Sequence, residues 1–107
     1  MQIYLTVVLD RPVADLNPGD LFLNDVDITN EFNQDAPFGY SSLTVIIASE
    51  VTYHLTTTSA ADVRFAAYMY GFSNGPTGNG FGTAVGLSSI EIIIYCFWQY
   101  CSVVPLW

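Results

Sequence analysis

The sequence predicts an all-β fold, a single antiparallel β-sandwich or small barrel, and three observations lead there. Segments of period-two alternation recur along the chain, clearest at Gln2 to Leu9 and Val63 to Phe72. Turn chemistry separates such segments, as in Asn17-Pro18-Gly19-Asp20 and Asn24-Asp25. Sustained amphipathic helices are missing, so nothing is available to cover the faces of a parallel sheet. With 107 residues the chain has room for one core, and residues 1–107 are read as one domain.

Gln2 to Leu9 makes the first strand, with Ile3, Leu5, Val7 and Leu9 on one face. Asp10 to Gly19 is a loop, followed by short strands at Leu21 to Leu23 and Val26 to Thr29 around Asn24-Asp25. Asn30 to Tyr40 is polar and irregular, broken by Pro37 and Gly39. Ser42 to Thr58 is rich in β-branched and aromatic residues and reads as two strands that reverse or bulge near Ala48-Ser49-Glu50. Ser59 to Gly71 carries two signals. Ser59 with Asp62 resembles a helix capping box and allows one short helix near 59–70, yet the alternation favours a strand from Val63 to Phe72. Gly71 to Gly86 reads as a long glycine-rich loop in which Phe72 and Phe81 could dock on a partner.

The terminal run, Ile90 to Trp107, is the most informative segment. It carries a single charge, Glu91, and is apolar on both faces. Ile90, Ile92, Ile94, Cys96 and Trp98 point one way and Ile93, Tyr95 and Phe97 the other. A small domain offers one core, so the second face needs another cover, and the run predicts association. Its interface residues are expected among Ile93, Tyr95, Phe97, Trp98, Tyr100 and Trp107, with the choice between the Ile93-Tyr95-Phe97 and Ile92-Ile94-Trp98 faces open. As a helix, the uncharged stretch Ile92 to Trp107 reaches only about 24 Å, short of the ~30 Å hydrocarbon core, and no membrane span is expected. Cys96 and Cys101 fall on opposite faces of a continuous strand. A tight reversal at Phe97 to Tyr100 could join them, but a cytoplasmic origin favours buried free thiols.

Composition excludes some partners. Charged residues make up 11% of the chain, lysine is absent, and Arg11 and Arg64 face ten carboxylates for a net charge of −8. Two arginines distant in sequence build no basic groove, so neither nucleic acid nor an anionic membrane is an expected partner. An acidic surface instead suits basic protein patches or multivalent cations.

Chemistry-bearing patterns are sparse. Asp25-Val26-Asp27-Ile28-Thr29-Asn30-Glu31 alternates oxygen ligands as calcium loops do, but Asn30 stands at the required glycine and Ala36 at the bidentate glutamate. A solvated acidic surface is the favoured reading, with no metal site and no cofactor. His54, the sole histidine, sits in a strand pattern and reads as a half-buried histidine with a hydrogen-bond partner rather than a catalytic base. The glycine-rich stretch lacks both the P-loop lysine and the strand-to-helix setting of a dinucleotide site. No catalytic residue is assigned, and the chain is read as not an enzyme.

In composition, size and the β-pattern of the full chain, the sequence resembles the decoration (cement) proteins of tailed bacteriophage capsids. That resemblance implies a structural role in the virion, with copies that self-associate and bind a larger shell of major capsid protein. The start M-Q-I-Y-L-T-V-V-L-D lacks the basic region and cleavage site of a signal peptide, so synthesis in the host cytoplasm without secretion is expected. The alternative is a small carbohydrate-binding, lectin-like β-sandwich, in which Tyr, Trp and Asn or Asp side chains line a sugar site.

Overall fold

A computed structural model describes residues 2–35, 39–58, 63–72, 80–88, 91–97 and 100–106. Its strands are β1 (Gln2–Leu9), β2 (Phe22–Leu23), β3 (Val26–Asp27), β4 (Asn33–Asp35), β5 (Tyr40–Ile47), β6 (Thr52–Thr56), β7 (Phe65–Phe72), β8 (Gly80–Ser88), β9 (Glu91–Phe97) and β10 (Tyr100–Leu106). They form two five-stranded sheets, β4-β5-β1-β7-β8 and β10-β9-β6-β2-β3, antiparallel throughout. The two sheets pack on one core, as the alternation predicts. Two short 3₁₀ turns, Val13–Asp15 and Thr29–Glu31, interrupt what the sequence reads as plain loop and strand end.

The inward rows are the apolar ones. Ile3, Leu5, Val7 and Leu9 of β1 stand beside Phe65, Ala67 and Met69 of β7 and meet Leu55, Ile92, Ile94 and Cys96 of the second sheet, all buried. Each fully buried Leu or Ile contributes about 1.5–3 kcal/mol. Leu21, Ile28, Phe32 and Val63 extend this cluster beyond the strands.

Two expectations are corrected and one is met. Gly71 to Gly86 is not one loop, because β7 runs to Phe72 and β8 starts at Gly80. Its glycines Gly80 and Gly82 lie at the register positions opposite Phe72 and Tyr70. The terminal run is not one strand either, but the hairpin β9–β10. The strand favoured from Val63 to Phe72 is present as Phe65–Phe72, while the capping-box pair at 59 and 62 lies outside the described residues.

Two connections explain how the chain changes sheets. β5 and β6 are not a hairpin; the chain crosses from the first sheet to the second through Ala48-Ser49-Glu50-Val51. Glu50 takes φ +65°, its amide donates to the Cys96 carbonyl at 2.7 Å, and Tyr53 Oη accepts the Ala48 amide at 2.8 Å. At the far end, Ser88 is buried and its Oγ accepts the Glu91 amide at 3.0 Å, fixing where β8 gives way to β9.

Candidate interaction surface

The site begins with the direction of the backbone in the second sheet. His54 accepts the Asn24 amide through its carbonyl at 2.9 Å and donates its own amide to Asn24 Oδ1 at 2.8 Å, so its backbone groups point toward β2. By alternation, Tyr53 and Leu55 bond to Ile94 and Ile92 of β9, and Ile93 and Tyr95 turn their backbone groups toward β10. Within β10, Ser102 and Val104 therefore pair by hydrogen bonds, while the backbone groups of Cys101, Val103 and Pro105 point away from β9, along the sheet edge. Pro105 brings no amide hydrogen to that edge.

Cys96 and Cys101 are direct cross-strand partners with Cα atoms 4.0 Å apart, the close, non-hydrogen-bonded kind of pair. They form a disulfide, and the expectation of free thiols is corrected. The reversal after Phe97 turns two residues of opposite parity onto one face of the hairpin. Both cysteines belong to the inward side, with Cys96 buried and Cys101 packed against the core.

Residues opposite one another share a face, so the outward side of this sheet follows from the register. Glu91, Ile93, Tyr95 and Phe97 of β9 lie beside Ser102 and Val104 of β10 and beside Thr52, His54 and Thr56 of β6. Tyr95, Phe97 and Val104 are 40%, 48% and 52% exposed, and Ile93 is half-buried among them. Four apolar side chains thus adjoin on two strands locked by a disulfide. A single exposed apolar residue would be ordinary; a contiguous group is what interfaces are made from. At its border His54 Nδ1 lies 2.8 Å from Glu91 Oε1, an exposed pair of small energetic weight.

Ile93, Tyr95 and Phe97 thus stand together on the outward face, whereas Ile92 and Ile94 belong to the core. Tyr100 occupies the register position opposite Phe97, and Trp98 and Trp107 lie outside the described residues.

No family model, curated protein or solved structure matches this chain. Its function is read from its surfaces alone. Val104 was not singled out by sequence reasoning, although the alternation within Cys101-Ser102-Val103-Val104 carries the signal once the run is divided into two strands.

The opposite face of the sandwich, outward from the first sheet, is aromatic and hydroxylic. Tyr4 and Tyr70 stack with ring centroids 5.2 Å apart at 20°, and Tyr68 lies 6.3 Å from Tyr70 at 28°. The rings adjoin across and along the strands, and Tyr68 is 40% exposed. Beside them Thr6 and Thr44 share a hydroxyl hydrogen bond of 2.8 Å, and Tyr4 Oη donates to Gln2 Oε1 at 2.6 Å.

The acidic segment serves the fold. Asp27 accepts the Thr29 hydroxyl and amide through Oδ1 at 2.6 and 3.0 Å, and the Gly19 amide through Oδ2 at 2.9 Å. The Thr29 hydroxyl bond, then the amides, hold its carboxyl below the usual value, against a small opposing effect of burial. Asp20 Oδ2 accepts the Asn17 amide at 2.8 Å. Among the described residues, no group of three or more His, Cys, Asp or Glu could hold a metal ion, and no helix is long and apolar enough to cross a membrane.

Proposed function

We propose that this chain is a non-enzymatic assembly protein that docks on a larger protein shell through the outward face of the β9–β10 hairpin. The observation that carries this reading is the contiguous, disulfide-locked patch of Ile93, Tyr95, Phe97 and Val104. Such a patch in a small domain forgoes burial energy until a partner covers it. Glu91 at its border and the net charge of −8 favour a partner with basic residues around an apolar centre. A cement protein of a viral capsid is the form of this role that the composition and size suggest. A disulfide accords with it, since virion surfaces are among the places where disulfides persist.

The test is sedimentation of the chain with assembled capsid shells of a tailed bacteriophage. Wild type is expected in the pellet at fixed stoichiometry, and a folded Tyr95→Ser/Phe97→Ser double variant in the supernatant. Wild type left in the supernatant, or a double variant that pellets equally, would overturn the reading.

A further inference from the structure

We propose that the outward face of the first sheet, centred on Tyr4, Tyr68 and Tyr70, is the surface through which two copies of this chain meet. The proposal deepens the assembly reading by separating self-association from docking, and rests on that reading only for the claim that copies associate.

Charge distribution selects the occupant. Among the described outward side chains of the three central strands are Tyr4, Thr6, Val8, Thr44, Ile46 and Tyr68, a row with no Asp, Glu, Lys, Arg or His. Asp25, Asp27, Glu50 and Glu91 lie on the second sheet or in its connections. Among the described residues, acids border this face at Asp35, opposite Tyr40 at the end of β4, and at Asp10 just beyond β1, where Arg11 pairs with Asp10 at 3.5 Å. Two copies carrying −8 each repel unless they meet through a region without carboxylates. This face satisfies that condition. It offers nothing to attract a basic partner, which the hairpin face with Glu91 does.

Desolvation is also inexpensive here. Burying a hydroxyl is costly when its hydrogen bond is lost. Thr6 and Thr44 bond to each other, Tyr4 bonds to Gln2, and Thr6 is already only 5% exposed on the outward side. Covering the face orphans none of these groups. The stacked tyrosines are held by one another, so little side-chain freedom remains to be lost on contact. Ile46, at 64% exposed, and Tyr68, at 40%, supply the apolar surface that association removes from water.

The size fits a reversible dimer. Four strands, β5, β1, β7 and β8, at about 4.8 Å spacing and about 3.4 Å per residue give a face of roughly 500 Å² per copy, so a pair that covers it fully removes roughly 1,000 Å², below the ~1,200 Å² of stable complexes and in the range of weak, reversible ones. A two-fold contact is the simplest arrangement, since it uses the same patch on both copies.

The experiment is sedimentation velocity of the full chain from low micromolar to submillimolar concentration, with circular dichroism as the check on folding. Wild type is expected to show a monomer–dimer equilibrium. Ile46→Glu and Tyr68→Ser are expected to raise the dimer dissociation constant at least about tenfold, and Tyr95→Ser/Phe97→Ser to leave it unchanged. Should Ile46→Glu unfold, Thr44→Glu, at an exposed position, places the same charge on the same face. A dimer insensitive to these variants, or broken only by Tyr95→Ser/Phe97→Ser, overturns the assignment of this face. A wild type that stays monomeric overturns the proposal too, and leaves shell docking to be judged separately by the pelleting experiment.

Discussion

The sulfurs of Cys96 and Met69 lie 3.4 Å apart in the buried centre of the sandwich. Cys96 is disulfide-bonded and has no thiol hydrogen, so this is a packing contact between two polarisable atoms rather than a hydrogen bond. It ties the hairpin of the second sheet to the middle of β7 in the first. The same residue offers its carbonyl to Glu50 and Ser49. Cys96 is therefore where the hairpin, the sheet crossover and the core converge.

Loss of the disulfide is expected to weaken the domain without abolishing the fold. The bridge closes a loop of only a few residues, for which chain entropy suggests about 2 kcal/mol. Urea titration of a Cys96→Ala/Cys101→Ala variant should show a lower midpoint, with a further penalty for the cavity beside Met69. Identical midpoints for variant and wild type would mean that the bridge adds nothing.

Neighbouring residues of β9 should respond very differently to truncation. Ile94 is fully buried, and Ile94→Ala is expected to cost about 2–5 kcal/mol. Tyr95 faces outward, and Tyr95→Ala is expected to cost less than about 1 kcal/mol while reducing shell docking. Chemical denaturation and pelleting assays of the two variants separate fold from surface.

The β2–β3 turn makes a prediction with opposite signs at adjacent positions. Asn24 and Asp25 both have positive φ, +49° and +66°, as a two-residue hairpin of primed type requires. Asp25→Gly relieves that strain and should stabilise by about 0.5–1 kcal/mol. Asn24→Gly should destabilise instead, because Asn24 Oδ1 accepts the His54 amide. Thermal melts of both variants are sufficient to decide.

Asp27 should contribute to acid unfolding. Folding lowers its pKa from the ordinary 3.8, chiefly through the Thr29 hydroxyl, so the ionised form favours the folded state. That stabilisation is fully present above the ordinary value and is lost as pH falls through the lower folded value. Asp27→Asn should therefore reduce stability at neutral pH by no more than about 1 kcal/mol, given its solvent exposure, and flatten the decline below pH 4. A variant with the same acid profile as wild type would contradict this.

How much was legible in the sequence varied with the kind of signal. Gln2 to Leu9 and Val63 to Phe72 alternate cleanly, and the first is a strand over its whole length and the second from Phe65, each with its apolar row facing the core. The β9–β10 reversal was visible only as an alternative, because Phe97-Trp98-Gln99-Tyr100 contains none of the residues that mark turns. β8 was obscured for the opposite reason. Its glycines suggest a loop until Phe72 and Tyr70 are seen opposite them, and that pairing is a long-range fact. The candidate surface was half legible: the parity of Ile93, Tyr95 and Phe97 groups them, but only the register with β6 and β10 turns them outward. The tyrosine face could not be read at all, since Tyr4 lies more than sixty residues from Tyr68 and Tyr70 along the chain.

The imino acid at Pro105 bears on how this chain behaves when crowded. β10 is an uncharged, strongly apolar edge strand, the sort that templates β-augmentation and fibre growth. A third strand laid along it meets amide donors at Cys101 and Val103 and then a position with none. An edge that lacks a donor at one position is a poorer template for strand addition than its apolar sequence alone suggests.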